Sequence, residues 1–164
     1  MRKRKIIMGL VIGMTIICIK PIAATAKSYL LGWDLVDSGK HLDYDGNSKY
    51  MSNVKSGVSK WEAYKKGVIR PDSLSIIEDV FISDVSNADS INATTYKDGY
   101  IKMNKYNLDK QSGTQITRVA THEIGHALGL GHSTKSDIMY GYDIITSSLT
   151  QNDKDSYNEA YKKY

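Results

Sequence analysis

The segment from His122 to His132 constrains this chain more than any other part of it. It reads His-Glu-Ile-Gly-His-Ala-Leu-Gly-Leu-Gly-His and holds three of the four histidines in the 164-residue sequence. His122 and His126 are four residues apart, so on an α-helix their side chains project from one face, one turn apart. Such a set of five fixed residues arises by chance on the order of once in 10⁵ chains of this size. The segment therefore predicts a helix that carries a chemical site.

The residues around these histidines predict a helix from about 113 to 128. Ser112 and Gln115 match a capping box, in which each side chain bonds the backbone N–H of the other. Gly129 readily adopts the left-handed conformation that ends a helix. Counting about 100° per residue gives one apolar stripe: Ile116, Ala120, Ile124 and Ala127. The two helical histidines lie more than about 90° from that stripe, so they face away from the core.

Histidines at this spacing suit a zinc ion. Two imidazoles one turn apart can reach one Zn²⁺ at about 2.0–2.1 Å, and a turn at Gly129 can bring His132 back as a third ligand. Three protein nitrogens leave one position for water, which is typical of a catalytic zinc. Glu123 lies about 100° round the helix, where it can accept a proton from a water held on the metal. We predict His122, His126 and His132 as zinc ligands and Glu123 as the catalytic base.

Hydrophobic periodicity and turn residues predict the elements of the rest of the chain. It contains no repeat, low-complexity run or linker, and its length fits one domain. The predicted elements are a strand over 41–44, a turn at 45–47, a helix over 48–66 ended by Gly67, one or two strands within 74–85, a hairpin turn at 97–99, a strand over 100–104 and a helix over 150–163 opened by Thr150.

One acidic stretch lies between Arg70 and Lys97 and contains no basic residue. The acids Glu78, Asp79, Asp84 and Asp89 fall within it. Solvated strand ends and loops account for these side chains. Carboxylates also suggest Ca²⁺, but their spacing fits no EF-hand loop, so calcium has no support from the sequence.

The first 26 residues have the composition of a secretory signal peptide. They contain five basic residues and no acidic one, with an apolar run over Ile6–Ile19 and the small residues Ala24-Thr25-Ala26 after it. A basic start, an apolar stretch and an A-x-A site predict export with cleavage after Ala26. The apolar run is shorter than the roughly 20 residues that a membrane-spanning helix needs. An uncleaved membrane anchor is the alternative.

Removing this segment changes the charge of the chain. The whole sequence has 22 basic and 18 acidic residues, whereas residues 27–164 keep 17 basic and 18 acidic residues and lose the only cysteine, Cys18. Nucleic-acid binding needs clustered cations and is therefore disfavoured. Disulfides and cysteine-based zinc sites are excluded. We expect a secreted monomer with no nucleic-acid partner and, after signal cleavage, no membrane partner.

The histidine segment matches H-E-x-x-H-x-x-G-x-x-H, the signature of the metzincin zinc endopeptidases. Downstream, residues 136–140 (Ser-Asp-Ile-Met-Tyr) resemble the Met-turn of that family, in which a methionine, here Met139, lies beneath the histidines. Residues 129–134 with Met139-Tyr-Gly-Tyr142 resemble the matrixins, the matrix-metalloproteinase-like branch. The opening of the last helix at 149–153 is also similar to theirs.

The resemblance implies an α/β (α+β) fold of the metzincin, zincin-like type. Such a fold has a twisted, mostly parallel sheet beside the active-site helix, a cleft between them, and a small C-terminal lobe that ends in a helix. The edge strand, within 93–104, would pair with an extended substrate. The implied domains are a signal peptide over 1–26 and a matrixin-like catalytic domain over 27–164.

The resemblance also places Tyr140 and Tyr142 at the specificity pocket. Together with Ile144 and Ile145 they make that loop apolar, so we expect a preference for an apolar side chain after the cleaved bond. Some relatives carry a tyrosine ligand two residues after the methionine. Gly141 stands there in this chain, so no tyrosine ligand is expected.

The implied activity is that of a zinc metalloendopeptidase. It would hydrolyse peptide bonds with one catalytic Zn²⁺ and a zinc-bound water activated by Glu123. Asp34 or Asp37 could cross the cleft and occupy the open position of the metal, which would explain latency. The alternative is a metal-binding interaction module of the same fold, either non-catalytic or tethered to a membrane. The presence of Glu123 argues against a non-catalytic module, because zinc binding does not require it.

Overall fold

The computed structural model describes residues 27–73, 77–142 and 145–164. The predicted signal peptide, part of the strand prediction within 74–85, and Ile144 lie outside these ranges. The elements in chain order are β1 Leu42–Gly46, α1 Met51–Tyr64, β2 Ile69–Pro71, β3 Val80–Val85, β4 Ala93–Tyr96, β5 Tyr100–Asn104, α2 Lys105–Leu108, α3 Gly113–Ala127 and α4 Gln151–Tyr161.

These strands form one sheet in the order β2-β1-β3-β5-β4. All neighbouring pairs are parallel except β4 and β5, which are antiparallel and place β4 at the edge. The predicted hairpin turn between them is confirmed, with Gly99 at a φ of 89°. The mostly parallel sheet with helices confirms the predicted fold class.

One face of the sheet packs against α1 and α3 and forms the core. Leu42, Ile82 and Met103 are completely buried on that face. Trp61 of α1 is also completely buried, and its indole N–H donates to the carbonyl of Thr121 in α3 at 2.9 Å. The core therefore joins the sheet to both long helices and fixes the position of α3.

The predicted turn at 45–47 is wrong. Strand β1 continues through Gly46, and a Cβ at this position would overlap the backbone of Ile82 in β3. The glycine thus allows a close approach of two strands rather than a turn, and the chain turns at 49–50 instead. The short β2 was not predicted, because its three residues gain strand structure only by pairing with β1.

The predicted helices are confirmed with small shifts at their ends. Helix α1 ends at Tyr64, and Gly67 follows with a φ of 82°. The Glu62 carboxylate accepts the N–H groups of Gly67 and the two residues after it, which holds the chain as it enters β2. Within the described ranges, no helix is both long enough and apolar enough to span a membrane.

Candidate metal centre and cleft

Helix α3 carries the first two histidines of the predicted site. It begins with the predicted capping box, in which Ser112 N–H donates to Gln115 Oε1 at 3.0 Å and Gln115 N–H donates to Ser112 Oγ at 3.4 Å. Gly129 follows the helix with a φ of 84°. All four residues of the predicted apolar stripe are buried. This packing leaves the histidine face of the helix toward a cleft.

The three histidines lie together around one point. Metal-binding atoms of His122, His126 and His132 all lie within 4.8 Å of one another. The Nε2 atoms of His126 and His132 are 3.2 Å apart. Two nitrogens bound to a tetrahedral zinc at about 2.0–2.1 Å are about 3.3–3.4 Å apart. The donor set and its spacing therefore fit a single zinc ion.

Backbone carbonyls orient the two helical histidines. His122 Nδ1 lies 2.8 Å from the carbonyl oxygen of Ile138, and His126 Nδ1 lies 2.8 Å from that of Leu130. A carbonyl oxygen only accepts hydrogen bonds, so each Nδ1 carries the hydrogen and each Nε2 keeps a free lone pair. The loops after α3 thus set both the tautomer and the direction of the ligand atoms.

Burial also keeps these imidazoles uncharged. It lowers the pKa of His122 to about 4, and that of His126 to about 4, with nearby histidines adding to the effect. Both rings are consequently neutral at pH 7. The neutral imidazole is the form that binds a metal.

Glu123 lies beside the histidines and is only 5% exposed. Its carboxylate Oε2 accepts a hydrogen bond from the Thr95 hydroxyl at 2.7 Å, and its backbone carbonyl oxygen lies 3.0 Å from the same hydroxyl. Burial raises the pKa of Glu123. The sequence alone does not point to Thr95, because this residue lies on β4, 28 residues before Glu123, and no local pattern links the two.

Met139 packs against α3 between the two helical histidines. It is 1% exposed, and a Cβ at Gly125 would overlap its sulfur atom. The backbone N–H groups of Ile138 and Met139 donate to the Asp153 carboxylate at 3.0 and 3.1 Å. Asp153 is completely buried and also caps α4 with Thr150. The role of Asp153 was not predicted from the sequence, although this residue lies in the segment that resembles the matrixins.

The histidines and Glu123 open into a cleft of about 630 Å³. Tyr140 and Tyr142 both line it, with ring centroids 5.4 Å apart. Val119 of α3 and Ile91, just before β4, add apolar surface. Trp33, which precedes β1, also lines the cleft, and the sequence did not predict this position.

Residues 27–40 run along the end of α3 but bring no carboxylate to the histidines. Leu31 N–H donates to the carbonyl of Gly129 at 2.8 Å, which anchors this part of the chain. Asp37 instead accepts the backbone N–H of His41 at 2.8 Å. Neither Asp34 nor Asp37 lines the cleft, so the expectation that one of them occupies the metal position is wrong.

Asp37 belongs to a second cluster of side chains whose types can ligate a metal. Carboxylate oxygens of Asp37, Asp43 and Asp79 lie within 4.8 Å of one another. Asp43 is 1% exposed and accepts two hydrogen bonds from the Arg70 guanidinium, at 2.9 and 2.6 Å. Of the four acids noted in the sequence, Asp79 alone is in this group. We call this set the aspartate cluster.

The chain is similar to known proteins in both sequence and structure. The family model of the matrixins matches residues 26–162. No curated protein matches the sequence. The crystal structure of archaemetzincin from Methanopyrus kandleri aligns with a TM-score of 0.54 and 13% identity, over 77% of this chain and 99% of that chain.

Two structures of myroilysin align in the same way. One has a TM-score of 0.53 and 16% identity over 77% of this chain and 97% of that chain. The other has a TM-score of 0.54 and 15% identity over 84% of this chain and 86% of that chain. At these identities the likeness shows the fold alone, and it is the match to the family model over most of the length that decides membership. The chain belongs to the matrixin family of zinc metallopeptidases and has a metzincin fold.

Proposed function

We propose that this chain is a secreted endopeptidase that hydrolyses peptide bonds of proteins with one zinc ion. The observation that carries the proposal is a group of three histidines, beside a buried glutamate, at the wall of an open cleft. The family implies zinc and a protein or peptide substrate. We assign His122, His126 and His132 as the ligands of the ion and Met139 as the methionine beneath them.

When bound, zinc lowers the pKa of water toward about 7 and polarises the carbonyl of the substrate. The side chains supply the proton transfers. Glu123 accepts a proton from the attacking water and then donates it to the nitrogen of the leaving amine. Burial supports this double role, because a raised pKa lets the carboxyl group hold the proton between the two steps.

The cleft offers an extended peptide a strand to pair with. β4 is the edge strand, and its residues Ala93, Thr94 and Thr95 line the cleft. An exposed strand edge binds an extended chain through main-chain hydrogen bonds. We propose that Tyr140 and Tyr142 form the pocket for the side chain after the cleaved bond, with a preference for apolar residues.

A Glu123→Gln substitution tests the proposed chemistry. It keeps the size of the side chain and an oxygen that can accept the Thr95 hydrogen bond, but it removes the base. We expect kcat/KM for casein or a peptide library to fall about 10²- to 10⁴-fold, with the zinc content unchanged. Glu159→Gln, on the surface of α4, is the matched control. Cleavage by Glu123→Gln at the wild-type rate would refute the mechanism.

The domain division is tested separately. We propose a signal peptide over 1–26, removed after Ala26, and a catalytic domain over 27–164. The family match covers 26–162, which supports placing the catalytic domain after the apolar segment. Fractionation of expressing cells and N-terminal sequencing of the protein in the medium should give Lys27 as the first residue. Recovery of the full-length chain in the membrane fraction would favour an anchor instead.

A further inference from the structure

We propose that Thr95 is a positioning residue for Glu123, and that its hydroxyl fixes the direction of the Glu123 carboxylate. The inference rests on the proposed function, in which Glu123 is the base. It adds a second element to the centre, because Thr95 belongs to the edge strand and not to the helix that carries the histidines.

Within the part of the chain that the structure describes, both hydrogen-bond acceptors of this hydroxyl belong to Glu123. Its oxygen lies 2.7 Å from Glu123 Oε2 and 3.0 Å from the Glu123 backbone carbonyl oxygen. The single hydrogen of the hydroxyl therefore donates either to the carboxylate or to the backbone carbonyl of Glu123. A glutamate side chain loses considerable rotamer freedom when it is held in place. The hydrogen bond to Oε2 favours the conformer in which the carboxylate lies against β4.

The strand explains why Thr95 and not its neighbour makes this contact. Thr95 is paired with Ile101 and Thr94 with Lys102. Side chains alternate between the faces of a strand, so Thr95 shares the inner face with the buried Ile101, and Thr94 points to the other face. Threonine is also stiff at χ1, because it is branched at Cβ. The hydroxyl is thus placed toward α3 before any substrate arrives.

This arrangement links substrate binding to proton transfer through one strand. The strand that we propose to pair with the peptide also holds the base, so the position of the peptide and that of the carboxylate are set together. A misplacement of about 1 Å at a reacting group can cost 10²-fold in rate. Losing the hydroxyl should therefore lower kcat and leave KM nearly unchanged.

Four variants test the inference. Thr95→Val has nearly the same shape but no hydroxyl, and Thr95→Ala is a second variant without it, should valine disturb the fold. Thr95→Ser keeps the hydroxyl. Thr114→Val, at an exposed position in the first turn of α3, is the matched control. For each we would measure kcat and KM on one peptide, bound zinc, and the order of the Glu123 side chain in crystal structures.

We expect Thr95→Val and Thr95→Ala to lose between about 10- and 100-fold in kcat, with KM within about twofold and zinc content unchanged. Glu123 should then occupy several rotamers instead of one. Thr95→Ser should retain most of the activity, and Thr114→Val all of it. A wild-type kcat in Thr95→Val, or an equal loss in Thr95→Val and Thr95→Ser, would overturn the inference. An inactive wild-type protein with an ordered Glu123 that becomes disordered in Thr95→Val would overturn the proposed function but support the positioning role.

Discussion

Two groups of metal-binding side chains in this molecule look alike by distance and differ in chemistry. In both the histidine centre (His122, His126 and His132) and the aspartate cluster (Asp37, Asp43 and Asp79), three ligand atoms lie within 4.8 Å of one another. Proximity alone would assign a metal ion to each. The two groups differ in their charge and in how far each one opens to a substrate.

His122 and His126 are neutral and the histidine centre faces a cleft, whereas the aspartates already have a cation. Burial lowers the pKa of two of the histidines, so their lone pairs remain free at pH 7. In the aspartate cluster, the Arg70 guanidinium makes two hydrogen bonds to the buried Asp43 carboxylate. Burial, with the neighbouring carboxylates adding to it, raises the pKa of Asp79. The Arg70 guanidinium thus already supplies a positive charge to the aspartate cluster, whereas the histidine centre would receive its positive charge from a zinc ion.

The largest expected effect comes from removing one of the proposed zinc ligands. For His126→Ala we expect zinc affinity to fall more than about 100-fold, since changing only the residues that orient ligands already costs 10- to 100-fold. Peptidase activity should fall with it. Competition with a chromophoric chelator measures the affinity. His41→Ala, which removes the one histidine outside the centre, should keep both zinc and activity, and equal losses in the two variants would contradict the assignment.

The next effect is on the aspartate cluster. Arg70→Met leaves the Asp43 carboxylate buried beside two other carboxylates and without its cation. Removing the partner of a buried carboxylate is destabilising, but the Arg70 side chain is itself 35% exposed, so we expect Tm to fall by roughly 5–10 °C with no loss of bound zinc.

The double variant Arg70→Met/Asp43→Asn should recover part of that Tm, because it buries no unpaired charge. Calorimetry and zinc analysis of both proteins provide the check. Loss of zinc from Arg70→Met, with the fold retained, would show that the aspartate cluster does hold the metal.

The pH dependence of the metal-free protein should reveal the neutral histidines. The pKa of His122 is about 4 in the folded protein and 6.5 for an ordinary histidine, so the unfolded chain binds more protons between these values. This contribution to stability is complete above pH 6.5 and is lost as the pH falls toward 4. For His122 alone, the loss between pH 7 and pH 5 is about 2 kcal/mol. Urea titrations of the chelated protein at several pH values measure it, and His122→Asn should show a smaller slope.

The smallest expected effect is that of Asp37→Asn. The Asp37 carboxylate lies 3.8 Å from His41 Nδ1, and both side chains are about one-third exposed. Such a pair is worth less than about 1 kcal/mol. Asparagine keeps an oxygen that can accept the His41 N–H, so Tm should change by no more than a few degrees. Any fall in zinc content would contradict the separation of the two groups.

The features that were predicted correctly are those that a short stretch of sequence determines by itself. The capping box at Ser112, the left-handed turn at Gly129 and the apolar stripe of α3 involve residues within one or two turns of each other, and the structure has all of them. The hairpin at Gly99 is local in the same sense. These features depend on backbone geometry and side-chain periodicity, which one stretch of sequence contains in full.

Contacts between segments that are distant in the chain could not be predicted from local patterns. Thr95 meets Glu123 across 28 residues, and Asp43 meets Arg70 across 27. Gly46 suggested a turn because glycine is common in turns. Its lack of a side chain instead allows the backbone of Ile82 to approach closely. In each case the partner lies on another element of the sheet or on α3, and its identity depends on the topology.

Gly125 changes how the histidine signature itself should be understood. The signature leaves the two positions between Glu123 and His126 unspecified. In this chain, however, Ile124 is 1% exposed in the core, and a Cβ at Gly125 would overlap the Met139 sulfur and lie 3.0 Å from the Trp61 ring. A saturation library over the signature should therefore tolerate few residues at 124 and fewer still at 125. Evolution of such a centre is limited by space as well as by chemistry, because the residues between the ligands must fit the core that supports them.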